Sequence, residues 1–162
     1  MSGLTILSGS WNTENGVLAS RPGGENRLTF GETVWKDYEI RVNALLTRGD
    51  GYGIYYRADG RPDISGYCFQ YHPGGGNKFL VRRVSGGVEQ YPLQYAGMPA
   101  GFAIYNQGHE ISIAVRGDRH TVKIDDRTVL DFSDAAFASG GGGFQTRGRS
   151  EAYFDALSVR QR

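Results

Sequence analysis

The sequence predicts an all-β fold, an antiparallel two-sheet sandwich or jelly roll with at most one short helical turn. About a dozen short segments alternate apolar and polar residues, the period of a strand with one buried face. The 25 glycines among 162 residues fall mostly between these segments, beside Asn and Asp, where tight turns are needed. No segment keeps a helical period, so a helical or α/β class is not expected.

Length and charge narrow the functional classes. A chain of 162 residues suits one domain over 1–162 and can bury a core without metal or disulfide support. The formal charge is only +1, so no overall field favours nucleic acid or an anionic membrane. No apolar run approaches the roughly 18 residues that span a membrane. We therefore expect neither nucleic-acid binding nor membrane insertion, and the single Cys68 leaves the redox compartment open.

The N-terminal part of the chain predicts five strands, separated by Ser-Gly, by the tight-hairpin signal Glu-Asn-Gly and by polar loops. They cover 4–7, 10–13, 17–19, 27–30 and 37–46. The last has the clearest alternation, with Tyr38, Ile40, Val42, Ala44 and Leu46 on one face. Trp11 is the expected N-terminal core anchor.

The stretch from Gly51 to Pro73 predicts two aromatic strands around a polar loop. In the first strand, Ile54 and Tyr56 face one way while Tyr55 and Arg57 face the other. In the second, Tyr67, Phe69 and Tyr71 alternate with Cys68, Gln70 and His72. The linker 58–66 is rich in Asp, Gly and Pro, which favour turns. A long-looped hairpin, or two neighbouring strands, is the prediction.

The C-terminal half predicts seven more strands and one helical turn. The strands are 78–84, 88–91, 110–116, 119–124, 128–132, 144–146 and 152–159. The irregular segment 92–106 is expected to be a surface loop, and 133–139 one helical turn with Ser133 as its N-cap. The broken alternation in the last strand predicts a bulge near Asp155 and Ala156.

A candidate sugar-binding set surrounds the 51–73 stretch. Sugar rings are bound by flat apolar faces together with planar polar groups that pair with hydroxyls. Residues of these types are Tyr55, Arg57, Asp59, Asp63, Gln70 and His72. The alternative is that the tyrosines pack within the sheet and Arg57 pairs structurally with a carboxylate. Both interpretations stay open at this point.

Other constellations give weaker hypotheses. A second basic face would comprise Arg82, Arg83, Arg147 and Arg149 with Tyr91 and Tyr95, which we interpret as a solvated face. A glycan-processing hydrolase would need two opposed carboxylates, for which Glu39, Asp59 and Glu89 are candidates. No Gly-x-Ser-x-Gly elbow is present, so nucleophilic catalysis has little support.

Nearly the whole chain resembles the concanavalin-A-like, laminin-G-like jelly-roll domains. The resemblance rests on segments such as GSWNTENGVL, GYGIYYRA and HEISIAVRGDRHTVKIDDRTVLDF. The pattern is similar to sandwich modules appended to bacterial glycoside hydrolases, including levan-binding types, and to domains of pilin-like surface proteins. The 3-keto-disaccharide hydrolases share the outline, but their Asn-Ser-Gly strand motif is Gly51-Tyr52-Gly53 here, and the Glu-x-Asp-x-x-Glu strand of jelly-roll glucanases is missing.

The resemblance implies a non-catalytic carbohydrate-binding or adhesion module with a glycan partner. It also implies a structural calcium ion in some members, for which Asp125, Asp126 and Asp155, with Asp131 and Asp134 nearby in sequence, are the hard oxygen ligands. Asp125 and Asp126 are equally explained as a hairpin turn. We expect an extracellular or cell-surface location beside other domains of a larger protein, with a cytoplasmic location still open. A structural head of a surface assembly is the third hypothesis.

Overall fold

Fourteen strands form two antiparallel sheets of seven in the computed structural model, which describes residues 3–162. The strands are β1 Leu4–Ser8, β2 Trp11–Glu14, β3 Val17–Ser20, β4 Glu25–Phe30, β5 Tyr38–Arg48, β6 Tyr52–Ala58, β7 Gly66–His72, β8 Lys78–Ser85, β9 Val88–Gly97, β10 His109–Arg116, β11 Arg119–Ile124, β12 Arg127–Ser133, β13 Gly141–Arg147 and β14 Glu151–Gln161. Sheet 1 has the order β1-β4-β13-β6-β7-β8-β9, and sheet 2 the order β12-β11-β10-β5-β14-β3-β2. The predicted all-β jelly-roll class is confirmed.

The core lies between the two sheets and is built from the predicted apolar faces. The alternating residues of β5, from Tyr38 to Leu46, are each at most 1% exposed. The aromatic faces of β6 and β7 pack opposite them, and Phe144 of sheet 1 stacks on Phe154 of sheet 2 with ring centroids 4.1 Å apart. Burying one such side chain stabilises the fold by about 1.5–3 kcal/mol. The two strands of the 51–73 stretch pair as the predicted hairpin.

The predicted bulge in the last strand is confirmed. The pairing of β14 with β5 shifts by one residue between Asp155 and Ser158, and Ala156 has φ 51°. An extra residue on one strand turns the following side chains to the other face. Leu157 and Val159 therefore pack against the core despite the broken alternation in the sequence.

Two local predictions are wrong. The segment 133–139 is not helical, because the Asp134 carboxylate is held by Arg83 and Tyr67 and the backbone N–H of Phe137 donates to the Tyr67 hydroxyl. These long-range bonds hold the segment after β12 as an irregular loop with a bend at Ala136. The predicted loop 92–106 begins too early, because β9 continues to Gly97. Since β9 is an edge strand, the missing N–H of Pro92 leaves no partner unpaired.

The helical content of residues 3–162 is a single 3-10 turn at Pro73–Gly75. No helix in this range has the length and apolar character needed to cross a membrane.

Candidate functional site

A row of side chains crosses the outer face of sheet 1 at right angles to its strands. The pairing register places Gln145 of β13 beside both Arg27 and Gly53, Gly53 beside Gln70, Gln70 beside Leu80, and Leu80 beside Tyr95. The chain neighbours of these residues, such as Ile54 and Phe69, point into the core. Because side chains alternate along a strand, the row points away from the core. Its centre is Gly53, which has no side chain between the two glutamines.

A connected polar network lies on this outer face. The Gln70 amide donates to Glu89 Oε1 at 2.8 Å, and Arg82 Nε donates to Gln70 Oε1 at 2.9 Å. Arg147 Nη2 donates to the same Glu89 oxygen at 2.6 Å. On the other side, the Gln145 amide donates to Glu25 Oε1 at 3.1 Å. We call this surface the concave face, defined by Glu25, Arg27, Gln70, Arg82, Glu89, Gln145 and Arg147.

The network shows that the face curves inward. Glu89 lies on β9 and Arg147 on β13, with β6, β7 and β8 between them. In a flat sheet, four strand spacings correspond to about 19 Å, too far for an Arg and a Glu side chain to meet. The contact between them requires the sheet to bend and twist around the face. The outer face of sheet 1 is therefore a depression with charged walls.

Electrostatics favour the charged form of Arg147 on the concave face. Burial acts to lower the pKa of Arg147, but the Glu89 and Glu25 carboxylates outweigh burial and raise the pKa above its ordinary value. The Arg147 side chain is nevertheless 49% exposed, whereas that of Arg82 is 19% exposed. Arg147 is thus a fixed cation with one side open to solvent.

A small cavity of about 60 Å³ opens beside Arg147. It is lined in part by Gly53, Gln70, His72 and Gln145. Its volume corresponds to about two water molecules at roughly 30 Å³ each. The cavity can hold a small polar group and is too small for a sugar ring.

The other end of the concave face is covered by the β6–β7 loop. Ile64 of this loop packs with Tyr55, Cys68 and Val84 in a small apolar cluster outside the main core. The backbone N–H of Gly87 donates to Ile64 O, which ties the loop to the β8–β9 turn. Burial raises the pKa of the Cys68 thiol far above its ordinary value, so this buried cysteine is an inert packing residue.

The six predicted ligand residues do not lie together. Gln70 is part of the concave face, His72 lines its cavity, and Tyr55 lies beneath it with 1% exposure. Asp59 accepts the N–H groups of Arg61 and Ser65 within its own loop. Asp63 is exposed and lies 3.6 Å from Arg61 Nε. The predicted set therefore splits between the face and the covering loop.

Arg57 points away from the concave face. Its backbone has φ 44°, and its side chain is 3% exposed. The guanidinium donates to the backbone carbonyls of Lys36, Gly117 and Phe137 at 3.0, 2.7 and 3.2 Å. It also pairs with Asp37 at 3.2 Å. This geometry fits the structural alternative for Arg57 that the sequence left open.

Sequence reasoning missed Glu25, Arg27 and Gln145, and it assigned Arg82 and Arg147 to a solvated basic face. The structure divides that basic face, because Arg83 turns to the other side of the sheet and pairs with Asp134. Glu89, considered only as a hydrolase carboxylate, is the residue at which Arg82 and Arg147 meet. The alternation of β13 places Gln145 on the outer face, and this was the available signal.

The predicted calcium ligands do not form a binding set. Asp125 is bonded to His109 Nδ1 at 2.6 Å and to the backbone N–H of Glu110 at 2.9 Å. Asp155 lies on β14, separated from the Asp125 turn by β5 and β10, and its carboxylate caps the N–H of Ala156. Among residues 3–162, no three His, Cys, Asp or Glu side chains are grouped as metal ligands. The three aspartates therefore do not fit a calcium ion.

A curved seven-stranded sheet backed by a second antiparallel sheet defines the concanavalin-A-like jelly-roll class, and solved structures agree. Carbohydrate-binding module CBM66 from Bacillus subtilis has a TM-score of 0.86 at 18% identity, covering 99% of this chain and 97% of that chain. The exoplasmic/lumenal domain of VIP36, bound to Ca²⁺ and mannose, has a TM-score of 0.81 at 13% identity, with 100% and 84% covered. A Bacillus subtilis protein of unknown function with a galectin-like fold has a TM-score of 0.74 at 12% identity. The alignment covers 98% of this chain and 89% of that chain.

The chain belongs to the family described as the 3-keto-alpha-glucoside-1,2-lyase-like domain, whose sequence model matches residues 2–160. The departure at Gly51-Tyr52-Gly53 from the strand motif of 3-keto-disaccharide hydrolases therefore does not exclude membership. None of the curated proteins matches the sequence significantly. At identities below 20%, the solved structures show a shared fold.

Proposed function

We propose that this protein is a non-catalytic carbohydrate-binding module that holds a glycan on the concave face. The observation that carries this proposal is the network of Gln70, Glu89 and Arg147, in which planar polar groups are fixed at the floor of an open depression. Pre-positioned amide, carboxylate and guanidinium groups can each pair with neighbouring sugar hydroxyls at little entropic cost. Sites for small ligands combine such groups with apolar surface.

Tyr95 supplies an aromatic surface at the end of the row. Its side chain is 62% exposed, and Lys78 Nζ lies 4.7 Å from its ring centroid. Exposed tyrosine rings pack against the C–H faces of sugars while the hydroxyl stays in water. The similarity to CBM66, a carbohydrate-binding module, supports the same assignment.

The carboxylates argue for binding without hydrolysis. A glycosidase needs two carboxyl groups on opposite sides of one bond. Glu39 lies on the outer face of sheet 2, where burial acts to raise its pKa but bonds from Arg162 and Arg41 outweigh burial and lower the pKa. Asp59 caps its own loop, and Glu89 accepts from Gln70 and Arg147. These three hydrolase candidates do not share a site.

The wider context is part of the proposal. We place this chain as one domain, 1–162, of a larger extracellular or cell-surface protein whose other domains act on or attach to the glycan. The similar VIP36 structure is an exoplasmic/lumenal domain, which supports a location outside the cytoplasm. The alternative is that this domain is the structural head of a surface assembly and binds no glycan.

The test is a glycan array together with a pull-down on insoluble polysaccharides, with and without CaCl₂. Wild type is compared with Gln70→Ala and with Gln107→Ala, a matched control in an exposed loop. We expect selective retention by wild type and the control, and up to about a tenfold loss in Gln70→Ala, because one hydrogen bond contributes about 0.5–1.5 kcal/mol and about 1.4 kcal/mol is tenfold. If wild type retains no glycan, the proposed function is wrong. If Gln70→Ala retains glycan as well as Gln107→Ala does, the glycan does not bind at Gln70 and the proposed site is wrong.

The family description favours a second candidate, an elimination enzyme acting on 3-keto-α-glucosides. A base would remove the C2 proton, which the C3 ketone acidifies. As the C1=C2 bond forms the C1–O bond would break, and the leaving oxygen would take a proton from the protonated base or from water to give the free alcohol. His72, beside the cavity, is the candidate base. Incubation with a 3-keto-α-glucoside would then produce the ultraviolet absorption of a conjugated enone, which His72→Gln would abolish. Glycan binding without such absorption would contradict the elimination enzyme and support the non-catalytic binding module.

A further inference from the structure

We infer that the glycan of the concave face is acidic, a polysaccharide whose sugar rings carry carboxylates. This inference rests on the proposed function and specifies its ligand class. It is carried by the charge on the concave face and by the shape of the cavity beside Arg147.

The bonded cluster has one more cation than anion. Arg27, Arg82 and Arg147 meet Glu25 and Glu89, and each carboxylate is shared by two guanidinium groups. Glu25 lies 2.6 Å from Arg27 and 3.8 Å from Arg147. Glu89 lies 2.6 Å from Arg147 and 3.9 Å from Arg82. A ligand carboxylate would restore neutrality.

Neighbouring charges do not remove this surplus. In the covering loop, Asp59 accepts backbone N–H groups and Asp63 faces Arg61. At the other end, the exposed Asp50 lies at the cavity rim with its side chain beside Gly74, where solvent screens its charge, and within residues 3–162 it forms no ion pair with the three arginines. The surplus positive charge therefore stays on the three arginines of the concave face.

Partial burial of Arg27 raises the free-energy cost of the surplus positive charge, and a bound anion would lower that cost. The Arg27 side chain is 13% exposed, and its Nε is buried without an acceptor in the part of the chain described. A partly desolvated cation is stabilised by an anion nearby even without direct contact, because charges interact more strongly where water is excluded. An anionic ligand would therefore gain more on this face than a neutral one of the same shape.

The cavity gives the carboxylate a place. Its volume of about 60 Å³ suits one carboxylate group, which would face Gln70, Gln145 and Arg147 of the wall and stay clear of Asp50 at the solvent-exposed rim. The sugar ring would then lie across the mouth of the cavity beside Gly53, where Gln145 Oε1 lies 3.0 Å from the place that a Cβ atom would take. In this arrangement the amides face ring hydroxyls while Arg147 faces the acid.

The test compares uronate polysaccharides with their own methyl esters, which lose the charge and gain one methyl group per uronate; the salt dependence of binding separates the effect of charge from that of size. Polygalacturonate, alginate and glucuronoxylan, each beside its esterified form, are titrated into wild type, Arg147→Gln and the control Arg119→Gln. Arg119 lies on sheet 2 with its side chain 68% exposed. We expect at least one acid form to bind about tenfold more tightly than its ester. We also expect high salt and Arg147→Gln to remove this preference, while the control keeps it.

The outcomes separate the two proposals. Binding to esters or neutral glycans without preference for the acids would overturn the inference and leave the binding module standing. Binding to no polysaccharide at all would overturn both. Because the comparison of acid with ester is made on wild type, it is decisive even if Arg147→Gln does not fold.

Discussion

Two arginine-centred regions of sheet 1 differ in what their guanidinium groups bind. At one end, which we call the Arg57 end, the Arg57 guanidinium donates to three backbone carbonyls and is 3% exposed. On the concave face, Arg147 contacts the side-chain carboxylates of Glu25 and Glu89 and is 49% exposed. The two residues have the same chemistry in opposite surroundings.

The difference separates stability from binding. A backbone carbonyl cannot leave its partner without a change in the chain path, so the bonds of Arg57 hold separate segments of the fold together. A carboxylate side chain can rotate, so the bonds of Arg147 can be exchanged for bonds to a ligand. We therefore expect substitutions at the Arg57 end to change the free energy of unfolding and those on the concave face to change affinity.

The largest effect is expected for Arg57→Ala. The substitution leaves the carbonyls of Gly117 and Phe137 without this donor and the Asp37 carboxylate, whose side chain is 38% exposed, without its cation. Hydrogen bonds to a charged group contribute about 1.5–3 kcal/mol each, and solvent can partly replace the lost donor, so we expect a total cost of about 3–4 kcal/mol. Urea unfolding followed by tryptophan fluorescence should show a loss of this size.

Arg61→Ala is the matched control for Arg57→Ala. The Arg61 side chain is 72% exposed and meets Asp63 at 3.6 Å, so its loss should change the free energy of unfolding by less than about 0.5 kcal/mol. If Arg57→Ala unfolds at the wild-type urea concentration but no longer binds glycan, Arg57 is a ligand residue and the comparison above is wrong.

A smaller effect should appear in acid, again at the Arg57 end. Burial acts to raise the pKa of Asp134, but Arg83 and Tyr67 outweigh burial and lower it from 3.8 to about 2. Because the folded-state pKa is lowered, the unfolded chain binds the proton first. The stabilisation is present above the unfolded pKa of 3.8 and is lost as the pH falls through about 2.

The shift corresponds to about 2.5 kcal/mol, at about 1.4 kcal/mol per pH unit. Urea titrations over this pH range should show a smaller acid dependence for Asp134→Asn than for wild type. An unchanged pH slope in the variant would mean that Asp134 does not carry this stabilisation.

The strands were predictable because their signal is local. The alternation of Tyr38–Arg48 and the broken period near Asp155 depend only on neighbouring residues, and both were interpreted correctly. The helical turn at 133–139 failed because the groups that hold Asp134 come from β7 and β8, far away in sequence. Local capping signals do not report such partners.

The site was predictable only in part, for the same reason. Gln70 and His72 were found because they alternate with core aromatics on β7. Gln145 meets Gly53 only through the pairing of β13 with β6, which no local pattern reveals. Arg57 was misleading because alternation predicts the side of the strand but not the left-handed backbone that turns its side chain away.

The smallest change in stability, joined to a large change in binding, is expected for Gly53→Ala. A Cβ atom there would lie 2.8 Å from Cys68 Sγ and 3.0 Å from Gln145 Oε1. The Gln145 amide can rotate, but the buried Cys68 Sγ must shift as well, so overpacking should cost about 1–2 kcal/mol. The displaced amide and the filled floor should nevertheless weaken glycan binding at least tenfold.

In Gly108→Ala the added Cβ meets nothing within 4 Å, so both the melting temperature and the affinity should stay at wild-type values. Undiminished binding by a folded Gly53→Ala protein, measured by calorimetry beside this control, would place the ligand elsewhere than over Gly53 and remove the concave face as the site.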